Sequence, residues 1–178
     1  MLNKHSLSIP TIALHWITGL AFIGVFALGL YMGELTPETG KFQIMGIHKS
    51  LGALILIVAL IRIVWRLKEG SIPPASPVAV WQDKLAKAIH GILMLATIAM
   101  PISGLAMSVG GGRGADIFGW QFIAEGDKIV WLQELGGSIH GLSVNIIIAA
   151  LVLHIAGAIK HQLVEKDGTI SRMLGRAS

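Results

Sequence analysis

Two histidines, His140 and His154, bound the segment SIHGLSVNIIIAALVLH, in which nearly every intervening residue is apolar. Imidazole is both a metal ligand and a proton carrier near neutral pH. An ionisable side chain within a membrane-spanning stretch is costly, and its presence there points to a use. The chain holds seven histidines: His5, His15, His48, His90, His140, His154 and His161. A fourteen-residue spacing on an α-helix returns His140 and His154 to one face within about 40° and separates them by about 21 Å along the axis. One imidazole then lies near each side of a bilayer whose hydrocarbon core is about 30 Å thick.

The elements that must position these rings are membrane helices. Of 178 residues, 53% are hydrophobic and only 13% charged, against about a quarter charged in a soluble domain. Mean hydropathy is +0.71. Four apolar windows, at about 11–33, 46–67, 85–109 and 137–163, each reach the roughly 20 residues that a spanning helix requires. Lipid offers nothing to unpaired backbone groups, so all four are predicted helical. The fold class is an all-α membrane protein, a four-helix transmembrane bundle, and the length suits one domain over 1–178. The run at 11–33 exceeds a signal-peptide core and reads as a retained first helix. Between the second and third windows, Pro73, Pro74 and Pro77 end any helix. The longest connection, 110–136, carries Trp120, Phe122 and Trp131 and is expected along the membrane surface, with GDKIVWLQELG as a short interfacial helix.

Lys and Arg set the orientation. Lys4, Arg62, Arg66, Lys68, Lys84, Lys87, Lys160, Lys166, Arg172 and Arg176 fall on the side of the termini; Lys41, Lys49, Arg113 and Lys128 fall on the other. The positive-inside bias places both termini in the cytoplasm. The same bias accounts for the net charge of +4; no basic stripe with interleaved aromatics suggests nucleic acid. Trp16, Trp65, Trp81, Trp120 and Trp131 fall near predicted interfaces.

Alternating helix directions sort the histidines. His15, early in the first span, stands level with His154, late in the fourth; His48, early in the second, stands level with His140 on the opposite side. The partner of such pairs is limited by what the chain lacks. There is no cysteine, which excludes iron–sulfur clusters, thiolate zinc and c-type haem attachment. The ten acids, Glu34, Glu38, Glu69, Asp83, Asp116, Glu125, Asp127, Glu134, Glu165 and Asp167, all lie outside the predicted spans, which argues against a carboxylate di-iron site. A haem brings four nitrogens of its own and asks the protein for one or two axial ligands. Two facing histidines per leaflet therefore fit two non-covalent haems b, six-coordinate and suited to electron transfer.

With these residues in view the chain resembles the bacterial cytochrome b561 family, related to the cytochrome b subunits of nickel–iron hydrogenases. The likeness rests on ALHWITG, GIHKSLG, AIHGILML…MPISG and SIHGLSVNIIIAALVLHIAGAIKH, in that order over nearly the whole chain. It implies four helices in the bacterial inner membrane, two haems b with axial ligands His15, His48, His140 and His154, and electron exchange with the quinone pool. Some members look like superoxide oxidases, which take an electron from periplasmic superoxide and pass it to ubiquinone.

Other residues keep more than one reading. His90 could replace a ligand, hydrogen-bond a haem propionate or relay a proton to quinone; His161 could face headgroups or contact a propionate or quinone; His5 is expected to be solvated. Arg62, Arg66 and Lys68 serve topology and could pair with propionates. Lys49 and Arg113 could contact headgroups or draw an anionic donor through local positive potential. Two rival functions stand beside the quinone-linked oxidoreductase. One is a non-enzymatic anchor and electron conduit for a separate redox partner protein, and the other a proton-coupled transporter that carries no haem.

Overall fold

The computed structural model describes residues 7–176. Among them, four helices are long and apolar enough to cross a membrane: α1 (Ile9–Gly33), α2 (Lys41–Glu69), α3 (Val80–Gly110) and α4 (Val130–Leu163). A hairpin of β1 (Ala115–Ile117) and β2 (Trp120–Ile123) follows α3, and a short α5 (Thr169–Met173) follows α4. Each expected span lies within one of the long helices, which run on past the apolar windows. Hydropathy falls at the first charges, whereas the backbone hydrogen bonding continues through them. Glu69 and Asp83 consequently sit in end turns of α2 and α3, and Glu134 early in α4.

Local chemistry fixes several ends. The Ser8 hydroxyl accepts from the Thr11 amide, 3.3 Å away, to cap α1, and Pro10 occupies the first turn, where no intrahelical donor is lost. Gly40, at φ 90°, turns the chain into α2, in a left-handed conformation that suits a residue without a Cβ.

The connection at 110–136 departs from expectation. The segment GDKIVWLQELG does not form a separate interfacial helix; from Val130 it is the opening of α4, continuous with the fourth span. Gly136 reads as a break in the sequence, but here it is a point of close approach. A methyl group there would lie 2.7 Å from the Ser103 carbonyl oxygen and 2.8 Å from the Met107 amide nitrogen. Residues 115–123 form the hairpin, with Asp116 opposite Gln121. Phe118 and Gly119 take positive φ at its turn, as a two-residue hairpin connection demands. The Phe118 amide donates to the Ser50 hydroxyl on α2, at 2.9 Å, and the Ser108 hydroxyl donates to the Gly114 carbonyl, at 2.7 Å. These bonds lay the hairpin against one end of the bundle.

The opposite end is tied by the C-terminal segment. Gln162 accepts from the Ile170 and Ser171 amides at 2.9 and 3.1 Å, which folds α5 back on α4. The Trp16 indole donates to the Met173 carbonyl at 2.7 Å, and Arg172 to the Pro73 carbonyl at 2.9 Å. The start of α1, the α2–α3 connection and the C-terminal segment thus share one end.

Within the bundle α3 packs most extensively on α4, α1 on α2, and α2 on α3, while α1 and α4 make few direct contacts. The buried centre comprises Phe22, Ile55, Ala96, Met100 and Ile147. Ile147 stands midway along the chain between His140 and His154, and Phe22 and Ile55 occupy the matching level of their helices. The outer surface is rich in exposed apolar side chains such as Leu20, Leu60, Leu95, Leu142 and Val152, as expected where the solvent is lipid.

Candidate functional site

At the end closed by α5, three helices bring histidines together. His15 of α1 and His154 of α4 have ring centres 6.1 Å apart, and His90 of α3 stands 5.1 Å from His154. Arg62 of α2 completes the group, its Nη2 3.3 Å from His15 Nδ1. At the hairpin end, His48 of α2 and His140 of α4 have ring centres 6.2 Å apart. His15, His48, His140 and His154 are half-buried, whereas His90 is exposed at the protein surface. The two pairs anticipated from helix direction and pitch are thus brought close together, with ring planes inclined at 54° and 78°.

The His140 ring is oriented by α3. Its Nδ1 lies 3.2 Å from the Met100 carbonyl oxygen and 2.9 Å from the Ser103 hydroxyl, which itself donates to that same carbonyl at 2.8 Å. A carbonyl only accepts, so Nδ1 carries the proton and Nε2 is left with its lone pair free. A backbone carbonyl behind the ring is the usual means of fixing a metal-ligating imidazole. His48 is placed sterically: its ring packs against the bare backbone of Gly29 on α1, and its buried Nδ1 has no partner among the described residues. Gly104 leaves similar room beside the His140 ring.

The separations can be compared with what a metal requires. Imidazole nitrogens about 2 Å from a shared metal place opposed ring centres about 6 Å apart. His15 with His154, and His48 with His140, match that spacing; His90 and His154 are too close to stand on opposite sides of one metal. Space is present as well. A cavity of about 330 Å³ opens between α1, α2, α3 and the hairpin, with His48 and His140 on its wall and Phe26, Leu56 and Trp120 among its apolar lining. Among the described residues, Lys49 and Asp116 bring the full charges to that wall, apart from what the histidines carry. A flat, apolar macrocycle held by opposed imidazoles suits such a surface, and these residues fit a b-type haem.

Several contributors were not evident in the sequence. Gly29 could have been suspected only as one glycine among 22, and the hairpin wall carried no strand signal. The Arg62–His15 contact joins residues on different helices. His161 lies apart from both groups: its Nδ1 is 2.6 Å from Glu165 and 2.8 Å from Asp167. Lys160, Thr169 and Ser76 occupy the remaining carboxylate positions. This cluster fastens the C-terminal segment. His5 and Lys4 lie outside the described residues.

A family model described as prokaryotic cytochrome b561 matches residues 6–176. "Cytochrome b561 homolog 2" of Escherichia coli (strain K12) is 32% identical over 171 residues, covering 93% of this chain and 89% of the relative. "Cytochrome b561 homolog 1" of the same organism is 26% identical over 172 residues, covering 93% and 94%. "Probable superoxide oxidase CybB" of Yersinia pestis is 28% identical over 166 residues, covering 92% of each chain.

Proposed function

The chain belongs to the prokaryotic cytochrome b561 family, and from that premise we propose that it carries two haems b, one between His15 and His154 and one between His48 and His140, and moves electrons from a periplasmic donor to quinone. Membership makes it a multi-pass membrane electron-transfer protein of a haem-b family. The observation that carries the finer reading is the presence of two opposed imidazole pairs at opposite ends of the bundle, each at the spacing of a shared iron.

Haem supplies one-electron chemistry, and two histidine ligands leave no open position for oxygen or substrate. The rest is the work of the chain. α4 supplies one imidazole to each pair and so fixes both centres on one rigid rod. Phe22, Ile55, Met100 and Ile147 form an apolar layer between them. The hairpin covers the outer pair, and Lys49 sets a positive charge on its cavity wall. The excess of Lys and Arg at the other end supports a cytoplasmic location for the termini, in the inner membrane.

The name of the Yersinia relative suggests superoxide as the donor. In that reading two superoxide anions each give up one electron and leave as dioxygen, and one ubiquinone takes two electrons and two protons. The test is a pyridine haemochrome assay on purified protein, followed by exposure to enzymatically generated superoxide with a soluble ubiquinone analogue. Two haems b per chain and quinol formation are expected. Colourless protein would sink the haem assignment; two haems without quinone reduction would make the chain a conduit for a separate redox enzyme.

A further inference from the structure

Arg62 and Arg66 stand one turn apart on α2, a spacing that puts both on one face of the helix. Both are half-buried, and Arg62 reaches the inner histidines, its Nη2 3.3 Å from His15 Nδ1. Among the described residues neither forms an ion pair with a carboxylate, and Arg66 Nη1 is buried with no partner. The acid nearest in sequence, Glu69, is engaged by the Thr11 hydroxyl and by the Trp65 indole. Arg62 thus meets the inner histidine cluster, and Arg66 one turn on keeps a buried nitrogen unpartnered, with no carboxylate in direct contact with either among the described residues.

The contact of Arg62 with His15 sharpens this. A guanidinium only donates, so a bond from Nη2 to His15 Nδ1 needs that nitrogen unprotonated. An imidazole that gives Nε2 to a metal keeps its proton on Nδ1. Ligation by His15 through Nε2 and donation from Arg62 therefore exclude one another, and Arg62 must turn to another acceptor when iron is held. The described residues offer no carboxylate there, whereas a haem b carries two.

We propose that Arg62 and Arg66 form the binding site for the propionate carboxylates of the haem held by His15 and His154, with Arg62 exchanging the His15 ring for a propionate as the haem enters. The proposal rests on the two-haem reading above. The fork of each guanidinium can bind a carboxylate through two parallel N–H donors. Two cations beside two propionates also offset the charge that would otherwise favour the oxidised iron, and so hold the inner centre at a higher potential than unpaired propionates would allow.

The experiment compares the purified full-length holoprotein with Arg62→Gln/Arg66→Gln and Arg62→Lys/Arg66→Lys, by potentiometric titration and by haem transfer to apomyoglobin. In the Gln variant one of the two midpoint potentials should fall and one haem should leave at least about tenfold faster, the scale of a lost charge-assisted hydrogen bond. The Lys variant should keep the potential more nearly than the retention. Wild type reconstituted with haem dimethyl ester should lose it equally fast, and combining ester with the Gln variant should add nothing further. Unchanged potentials and retention in the Gln variant overturn the proposal. So does an ester retained as well as haem by wild type, a comparison that needs no variant to fold. His154→Ala separates the two readings. If it keeps both haems, the ligand assignment fails; if it loses one while Arg62→Gln/Arg66→Gln behaves as wild type, only the propionate site fails.

Discussion

The His48 ring rests on the backbone of Gly29: a methyl group on that glycine would lie 2.8 Å from His48 Cε1. α1 approaches α2 closely enough to set the angle of a ring that the proposed haem between His48 and His140 needs. Gly29→Ala should displace His48, at a cost of about 1–3 kcal/mol for overpacking, and should reduce haem at the outer pair while the inner pair stays loaded. Haem per chain and the low-spin absorption and EPR signals check this. Gly104→Ala is the comparison: its methyl group would stand 3.5 Å from His140 Cε1, an ordinary contact, so its spectrum should resemble wild type.

His140→Ala and His154→Ala should each remove one haem and leave the other with its own midpoint potential. The two pairs share α4 but are separated by the apolar layer around Ile147, so loss of one centre leaves the other's ligands in place. Pyridine haemochrome quantification should give about half the wild-type content in each variant. Full content in either would remove that residue as a ligand.

Among the described residues, Lys49 sets a positive charge on the wall of the cavity beside His48 and His140. Lys49→Glu should slow haem reduction by an anionic donor, and the rate should then rise with salt where the wild-type rate falls, because attraction becomes repulsion and both are screened. Stopped-flow reduction at several ionic strengths reads this; an unchanged salt dependence would exclude Lys49 from donor capture.

The C-terminal latch has a pH dependence of definite sign. Burial by itself would raise the Asp167 carboxyl, but the Thr169 hydroxyl and amide and the His161 ring together hold it below its ordinary value of 3.8. A depressed folded value stabilises the docked segment at pH above 3.8, and that contribution is lost as pH falls through the folded value. Protection of the Ile170 and Ser171 amides from exchange should therefore hold between neutral pH and about pH 5 and decline only in stronger acid. Asp167→Asn should lower protection at neutral pH and abolish that acid step.

Much of the fold was legible because lipid imposes a strong rule on the sequence: apolar runs of sufficient length must be helices. The first, second and third spans differ from expectation mainly at charged end turns. The fourth span lies within α4, but the interfacial helix expected before it is continuous with it, because Gly136 and Gly137 read as a boundary when Gly136 is the place where α3 and α4 backbones meet. The hairpin had no comparable signal. Strands of three and four residues are specified by what they pack on, here the Ser50 hydroxyl of α2 and the Ser108 hydroxyl of α3.

The sequence by itself determined the helices and the ends of the bundle at which His15, His48, His140 and His154 stand, and so the proximity of His15 to His154 and of His48 to His140, since pitch and alternating direction are properties of a chain in a bilayer. Only the tertiary structure decided how each ring is held: a carbonyl behind His140, a glycine beneath His48, a third imidazole and an arginine beside His15 and His154. Those contacts join residues on different helices, and their geometry depends on how side chains interlock between neighbours, which no local periodicity encodes.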